Sequence, residues 1–138
     1  MTEPHFKAVE QHNAKYTKKL VILITRGIES EPSSVTCTIA ISIALGGLKA
    51  GLKVSIFLAD AAIDLVQRSE KRFAQDPAFE NLAAMIADFQ NRGGVIWACP
   101  PCVKAHGYEQ ADLLDGVIIT GASAMNTEIR DGAATLSF

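Results

Sequence analysis

Five short apolar runs, separated by stretches of helical character, limit most strongly how this chain can fold. The runs consist largely of Val, Ile, Leu and Phe without clean polar alternation, and they cover Leu20–Thr25, Val54–Leu58, Val95–Ala98, Val117–Thr120 and Ala134–Phe138. Strands buried on both faces have this composition, and such strands occur mainly in parallel sheets that helices cover. We therefore predict a five-stranded parallel sheet.

Helical segments are predicted between these strands. The first extends from Ser33 to Ala50, with Pro32 in its first turn and Gly51 after its end. The dipeptide Gly46–Gly47 weakens its last turns by about 1 kcal/mol per glycine relative to alanine, which predicts close packing there. Further segments are predicted over 62–73, from 79 to the glycines at 93 and 94, after residue 100, and over 123–130. This alternation predicts a single three-layer α/β/α domain with right-handed crossovers.

The composition excludes several classes of protein. The 138 residues suffice for one domain with its own core. Thirteen basic and fifteen acidic residues give a net charge of −2, which argues against a basic surface for nucleic acid. Three cysteines are too few, and odd in number, for a disulfide scaffold. The longest apolar stretch, residues 35–48, is too short for a membrane span, so we predict a cytoplasmic protein with reduced thiols.

Residues 1–18 are predicted to form a polar N-terminal extension that precedes an α/β domain at residues 19–138. Charged side chains recur through this extension, so it cannot supply the apolar core of a secretory signal peptide. Two interpretations of the extension stay open, a frayed tail and an interaction arm.

The segment Cys99-Pro100-Pro101-Cys102 carries the strongest chemical signal. Cys99 directly follows the third apolar run, so it is predicted at the carboxyl end of a strand, where sites form in open α/β sheets. A helix that begins at the two prolines would favour a thiolate at Cys99 through its N–H groups and dipole. Lys104 and His106 follow within two turns and would add positive charge. We therefore predict Cys99 and Cys102 as catalytic residues.

Other sites have weaker support in the sequence. Dinucleotide-binding, P-loop and serine-hydrolase motifs are absent. Cys99, Cys102 and His106 could face one zinc ion, but a structural site needs a fourth ligand, so neither a metal nor a cofactor is predicted. Thioredoxins place their CxxC motif early in a mixed sheet, whereas here it follows the third strand, which still leaves reversible oxidation open. Cys37, without charged neighbours in a helix, is predicted to pack in the core.

With these residues placed, the chain from about Lys19 to Phe138 resembles the DsrE/DsrF-like sulfur-relay family. The cysteine segment and its distance from the last strand are the specific part of the resemblance. The matching segments are Lys19–Thr25, Gly47–Val54, Gly93–Lys104, Asp115–Ser123 and Gly132–Phe138.

The resemblance implies a flavodoxin-like, YchN-like fold that assembles as homo- or hetero-trimers and hexamers. Family members with the active cysteine pass sulfane sulfur between proteins as a cysteine persulfide. That cysteine follows the third strand, with a basic residue and a glycine some seven residues later, and Cys99 and His106–Gly107 occupy these places. Cys102 is not part of the general relay pattern, and a neighbouring thiol could resolve the persulfide as a disulfide and release sulfide.

The function predicted from these observations is a cytosolic sulfur relay, a sulfurtransferase in the sense of a persulfide carrier. Cys99 would take sulfur from a donor protein and present it to the thiol of an acceptor protein. Arg26 and His106 are predicted substrate-binding residues; Arg26 would reach the site if the strand order were 2-1-3-4-5, in which the first and third strands adjoin. Two alternatives stay open: a thiol–disulfide redox protein that uses Cys99 and Cys102, and a non-catalytic subunit of an oligomer.

Overall fold

Five strands form one parallel sheet in the computed structural model of the chain, which describes residues 18–28, 31–69 and 78–138. The strands are β1 Lys19–Ile24, β2 Lys53–Leu58, β3 Val95–Ala98, β4 Ile118–Ile119 and β5 Ala134–Ser137. The helices are α1 Glu31–Lys49, α2 Ala78–Asn91, α3 Pro100–Ala105 and α4 Ala122–Arg130, with 3-10 helices at Asp60–Val66 and Gln110–Asp112. The predicted α/β class, single domain and parallel sheet are confirmed.

The strand order is β4-β3-β2-β1-β5, which differs from the 2-1-3-4-5 order considered above. Each of β2, β3 and β4 lies beside the strand that precedes it in the chain, and only β5 crosses to the other side of β1. As a result β2 separates β1 from β3. The expectation that the first and third strands adjoin is therefore wrong. Strands β2, β3 and β4 are added in turn on one side of β1, and β5 pairs with the other side of β1.

The two faces of the sheet are covered unequally. Even-numbered residues of β1 and β2 face the main core, in which α1, α2 and the 3-10 helix Asp60–Val66 bury their apolar side chains. The opposite face holds a smaller cluster of Val21, Phe57 and Trp97, against which Ala124 and Met125 of α4 pack. Among the described residues, the nine-residue helix α4 forms the third layer of the fold.

The two edge strands, β4 and β5, are more exposed than the prediction of strands buried on both faces implies. All four residues of β5 are exposed, and Ile118 of β4 is half exposed, because each edge strand has a neighbour on one side only. The interior strands β1, β2 and β3 are largely buried, as their composition predicts.

Glycines end the two long helices. Gly51 after α1 and Gly93 after α2 have positive φ angles of 88° and 90°, which glycine adopts without steric cost. At both ends the following residue donates its N–H to a carbonyl five positions earlier, at 3.0 Å after α1 and 2.9 Å after α2, so orphan carbonyls of the last turn are paired. The predicted ends of both helices are confirmed.

Two predicted segments lie wholly or partly outside the described residues. The predicted helix over 62–73 is a 3-10 helix at Asp60–Val66, and its predicted end at Phe73 falls in the undescribed stretch 70–77. Of the N-terminal extension, only Lys18 is described. Among the helices of the described part, none is long and apolar enough to cross a membrane.

Candidate functional site

Cys99 and Cys102 lie where β3 passes into α3. Cys99 is the residue before the helix, and its N–H donates to the Leu58 carbonyl at the end of β2 at 3.0 Å. Pro100 and Pro101 begin the helix, as predicted, because their preset φ angles suit its first turn. Both cysteines are free and partly exposed. The strand end therefore holds a pair of accessible thiols on a backbone anchored to the neighbouring strand.

The environment of Cys99 differs from the electropositive one expected. Burial raises the pKa of the Cys99 thiol, and the adjacent Cys102 side chain raises it further, while the Cys102 backbone amide opposes the shift only in part. The Cys99 side chain makes no capping hydrogen bond to α3, which has only six residues. Lys104 is exposed, and His106 pairs with a carboxylate instead. The predicted lowering of the Cys99 pKa is therefore wrong.

Cys102 receives a backbone hydrogen bond that the sequence does not reveal. The N–H of Asp60 donates to the Cys102 Sγ at 3.2 Å. Asp60 is the one non-glycine residue of the described chain with a positive φ, 51°, a conformation that costs energy in most residues and is best tolerated by Asp and Asn. A strained backbone thus presents an N–H donor to the second sulfur of the pair.

Asp64 contacts two side chains near the C-terminal end of α3. Its Oδ1 accepts a hydrogen bond from the Tyr108 hydroxyl at 2.6 Å and lies 3.1 Å from Nδ1 of His106. The His106 and Tyr108 rings are 5.7 Å apart. Burial and the contact with Asp64 raise the pKa of Tyr108 to about 12, so its hydroxyl stays protonated as a donor at neutral pH. Asp64 and His106 form an ion pair when the imidazole is protonated.

The sequence argument did not find Asp64. The residue lies inside the predicted 62–73 helix rather than at a strand end, and no motif singles it out. Asp60 stands at the end of β2, where sites were expected, but the relevant atom is its backbone nitrogen, which any residue type except proline supplies. Only the packing of the 3-10 helix against α3 brings these groups together.

Arg26 lies on the other side of β2 from the cysteine pair, and Cys37 lies in the main core. Arg26 is exposed after β1, and within the described residues its side chain makes no hydrogen bond or ion pair with either Cys99 or Cys102. Its role as a substrate-binding residue stays a prediction without the strand adjacency that suggested it. Cys37 is fully buried and its Sγ lies 3.2 Å from the Arg26 carbonyl oxygen, so its predicted place in the core is confirmed.

The cysteine pair lies apart from the cavity that the described residues line at the other end of the sheet. In the described part of the chain no three His, Cys, Asp or Glu side chains are arranged to hold a metal ion. A cavity of about 410 Å³ lies at the end of the sheet where the strands begin, and its lining includes Lys19, Lys53, Arg92 and Trp97. Because the cysteine pair lies where the strands finish, the cavity is separate from that site.

The family model described as the DsrE/DsrF-like family matches residues 18–138, a range that includes every described residue. An uncharacterised protein of Methanocaldococcus jannaschii, MJ0989, is 31% identical over 77 residues. That match covers 56% of this chain and 64% of the relative, which is less than two thirds of its length.

Solved structures share the fold at low sequence identity. The Escherichia coli YchN protein superimposes with a TM-score of 0.69 at 18% identity, over 88% of this chain and 100% of YchN. MTH1491 of Methanobacterium thermoautotrophicum, described as of unknown function, gives 0.68 at 16% identity over 88% of this chain and 99% of its own. BT1422 of Bacteroides thetaiotaomicron gives 0.61 at 21%, over 88% and 95%. These likenesses show that the fold is YchN-like.

Proposed function

This chain belongs to the DsrE/DsrF-like family, and we propose that it carries sulfane sulfur as a persulfide on Cys99 and passes it to a partner protein thiol. The family is associated in general with sulfur relay. The observation that carries the proposal is the position of Cys99, a partly exposed thiol at the carboxyl end of the interior strand β3. A partner's cysteine can reach such a thiol without unfolding the domain.

The transfer consists of two thiol exchanges. The Cys99 thiolate attacks the outer sulfur of the donor persulfide, the sulfur–sulfur bond of the donor breaks, and the donor cysteine leaves as a thiolate with the bonding electrons. An acceptor thiolate then attacks the outer sulfur on Cys99 in the same way. Neither exchange needs an external oxidant or reductant. A thiolate of higher pKa is the stronger nucleophile once formed, but the raised pKa of Cys99 lowers the ionised fraction by more, so attack at neutral pH is slower than for an unshifted thiol.

A second candidate function has a specific observation in its favour. Cys102 is close enough to Cys99 for its side chain to raise the pKa of the Cys99 thiol. Oxidation would join the two sulfurs in a disulfide, which would make the protein a thiol–disulfide redox protein. A reducing compartment such as the cytosol, where both thiols stay reduced between turnovers, suits either function.

Intact-mass measurement after incubation with a persulfide donor tests the proposal. Persulfide carriage predicts a gain of one sulfur mass that is lost on reduction and is absent in Cys99→Ala. Cys37→Ala serves as the matched control and should gain the same mass, because the Cys37 thiol is buried and out of reach. A loss of two hydrogens that requires both Cys99 and Cys102 would favour the redox function instead. If the donor modifies no thiol at all, the result would favour a non-catalytic subunit.

A further inference from the structure

The 3-10 helix Asp60–Val66 and α3 lie side by side in register. One contact joins the Asp60 N–H to the Cys102 Sγ at 3.2 Å, and another joins Asp64 Oδ1 to His106 Nδ1 at 3.1 Å. Each contact links residues 42 positions apart, so the two short helices run parallel to each other. The Cys102 sulfur and the His106 imidazole therefore occur one after the other along a single seam between the helices.

His106 stands one helical turn after Cys102. The N–H of His106 donates to the Cys102 carbonyl at 3.0 Å, which continues the helical hydrogen-bond pattern of α3. Side chains four positions apart lie on the same face of a helix, with Cβ atoms about 5–6 Å apart. His106 therefore lies on the same side of α3 as Cys102, and both side chains contact the 3-10 helix Asp60–Val66.

Asp64 determines which nitrogen of His106 can accept a proton. An ionised carboxylate only accepts hydrogen bonds, so Nδ1 of His106 carries its proton toward Asp64. The lone pair of the neutral ring then lies on Nε2, which is the nitrogen that can accept a proton. The Tyr108 hydroxyl, bound to the same Oδ1, holds the carboxylate in place.

We propose that His106, held by Asp64 and Tyr108, is the proton acceptor for the Cys102 thiol, and that the Asp60 N–H stabilises the resulting Cys102 thiolate. His106 acts on the reacting sulfur, whereas Asp64 and Tyr108 are positioning residues. The two cysteines consequently have different tasks, since Cys102 accepts the Asp60 N–H and has His106 one turn away, whereas the Cys102 amide only partly offsets the burial of Cys99.

The assignment also gives Cys102 a step that starts from the Cys99 persulfide and therefore rests on the proposed function, where it competes with transfer of the sulfur to the acceptor thiol. The Cys102 thiol gives its proton to His106, and its sulfur attacks the inner sulfur of the Cys99 persulfide. A bond forms between the two cysteine sulfurs, the bond to the outer sulfur breaks, and the outer sulfur leaves as hydrosulfide with the bonding electrons. Cys102 is oxidised and the outer sulfur is reduced, so the products are a Cys99–Cys102 disulfide and sulfide.

The charged and titratable groups around Cys102 come from two elements and the following turn. Asp60 and Asp64 belong to the 3-10 helix, Cys99 and the exposed Lys104 to the Cys102 segment, and Tyr108 to the turn after α3. A test must therefore separate the effect of the His106–Asp64 pair from that of these other groups. Measuring Cys102 in a Cys99→Ser background removes the most direct of them.

The rate at which iodoacetamide alkylates Cys102, followed by peptide mass mapping between pH 6 and 9, tests the assignment without any sulfur donor. In the Cys99→Ser background, Asp64→Asn and His106→Gln should each slow alkylation at pH 7 by roughly tenfold or more, because the proton acceptor is misplaced or lost. Imidazole added to a His106→Gly variant should restore part of the rate, which a purely structural role of His106 would not allow. Tyr108→Phe should have a smaller effect in the same direction.

Asp88→Asn is the matched control, since Asp88 also pairs with a basic side chain, Arg92, but lies on α2 away from the site. Alkylation of the buried Cys37 would reveal any unfolded variant. Unchanged Cys102 rates in Asp64→Asn and His106→Gln across the pH range would overturn the assignment, even if Cys99 still took up sulfur. Conversely, slowed alkylation together with an absence of any persulfide would retain the assignment and reject the proposed function. Where persulfide forms, sulfide release should require Cys102 and slow in Asp64→Asn.

Discussion

Two cysteines separated by two prolines differ because of what surrounds each sulfur. Cys99 is the residue before a six-residue helix, and burial raises its pKa. Cys102 accepts the Asp60 N–H and precedes His106 by one turn. The C-P-P-C spacing looks the same from either cysteine, so it cannot show which sulfur has which surroundings. The difference comes from the 60–66 segment, whose Asp60 N–H contacts Cys102 and whose Asp64 carboxylate holds His106.

The pKa of Tyr108 depends on its contact with Asp64. Burial and the Asp64 contact raise its pKa to about 12, so the folded state favours the protonated phenol. The associated stability is fully present below the ordinary tyrosine pKa of about 10 and is lost as the pH rises through about 12. Asp64→Asn should bring the Tyr108 pKa back toward the ordinary value, although the effect of burial remains.

Ultraviolet absorbance of the phenolate against pH measures this shift. Tyr16→Phe provides the background, because the chain has two tyrosines and only Tyr108 then titrates. An Asp64→Asn variant that titrates at the same pH as its parent would contradict the contact between Asp64 and the Tyr108 hydroxyl.

At the scale of single elements, α1 shows how neighbouring residues of one type meet different surroundings. A Cβ at Gly47 would lie 2.9 Å from Val54 Cγ2 and 3.3 Å from Leu20 Cδ2, so the helix approaches the sheet closely there. A Cβ at Gly46 would meet nothing within 4 Å. The close packing predicted for the dipeptide is therefore confirmed at Gly47 alone, because Gly46 is exposed.

Alanine substitutions at these two positions should have opposite effects on stability. Gly46→Ala should raise the free energy of unfolding by about 0.5–1 kcal/mol, since alanine loses less backbone entropy in a helix. Gly47→Ala should lower it by about 1 kcal/mol or more, since the buried Val54 and Leu20 must shift. Urea denaturation of the two variants measures both changes, and a change of the same sign in both would contradict the difference in packing.

At the scale of the whole molecule, apolar surface remains on the outward side of α1. Val35, Ile39 and Ile43 follow one another at four-residue steps and are 54%, 49% and 37% exposed, while Cys37, Ala40 and Ala44 face the core. An apolar stripe on the solvent side of a helix is characteristic of surfaces that are covered in an assembly. The stripe supports the homo-oligomer expected from the family resemblance, with a second copy of the chain as the partner.

Ile39→Glu should weaken this self-association, because it places a charge in the middle of the apolar stripe. Sedimentation velocity at micromolar concentration should show an oligomer for the parent chain and a shift toward monomer for the variant. Ala84→Glu places the same charge on the exposed side of α2 and should leave the oligomer intact. A parent chain that sediments as a monomer would refute the oligomer itself, and an unaffected Ile39→Glu oligomer would place the interface elsewhere.

The elements of this protein could be predicted from its sequence because they depend on neighbours along the chain. Apolar runs, proline and glycine positions placed the strands, the ends of the two long helices and the cysteine at the end of β3. The C-P-P-C segment and its surroundings also carried the resemblance to the family that the match over residues 18–138 establishes.

The relations between elements, in contrast, depend on the tertiary fold. Local periodicity does not specify strand order, so the sequence could not show that β2 separates Arg26 from Cys99. Nor could it show that residues 42 positions apart pair twice, Asp60 with Cys102 and Asp64 with His106. Those contacts arise when β2 and β3 lie side by side and their following helices pack in register. The pKa of Cys99 follows the same rule, because burial depends on the whole fold.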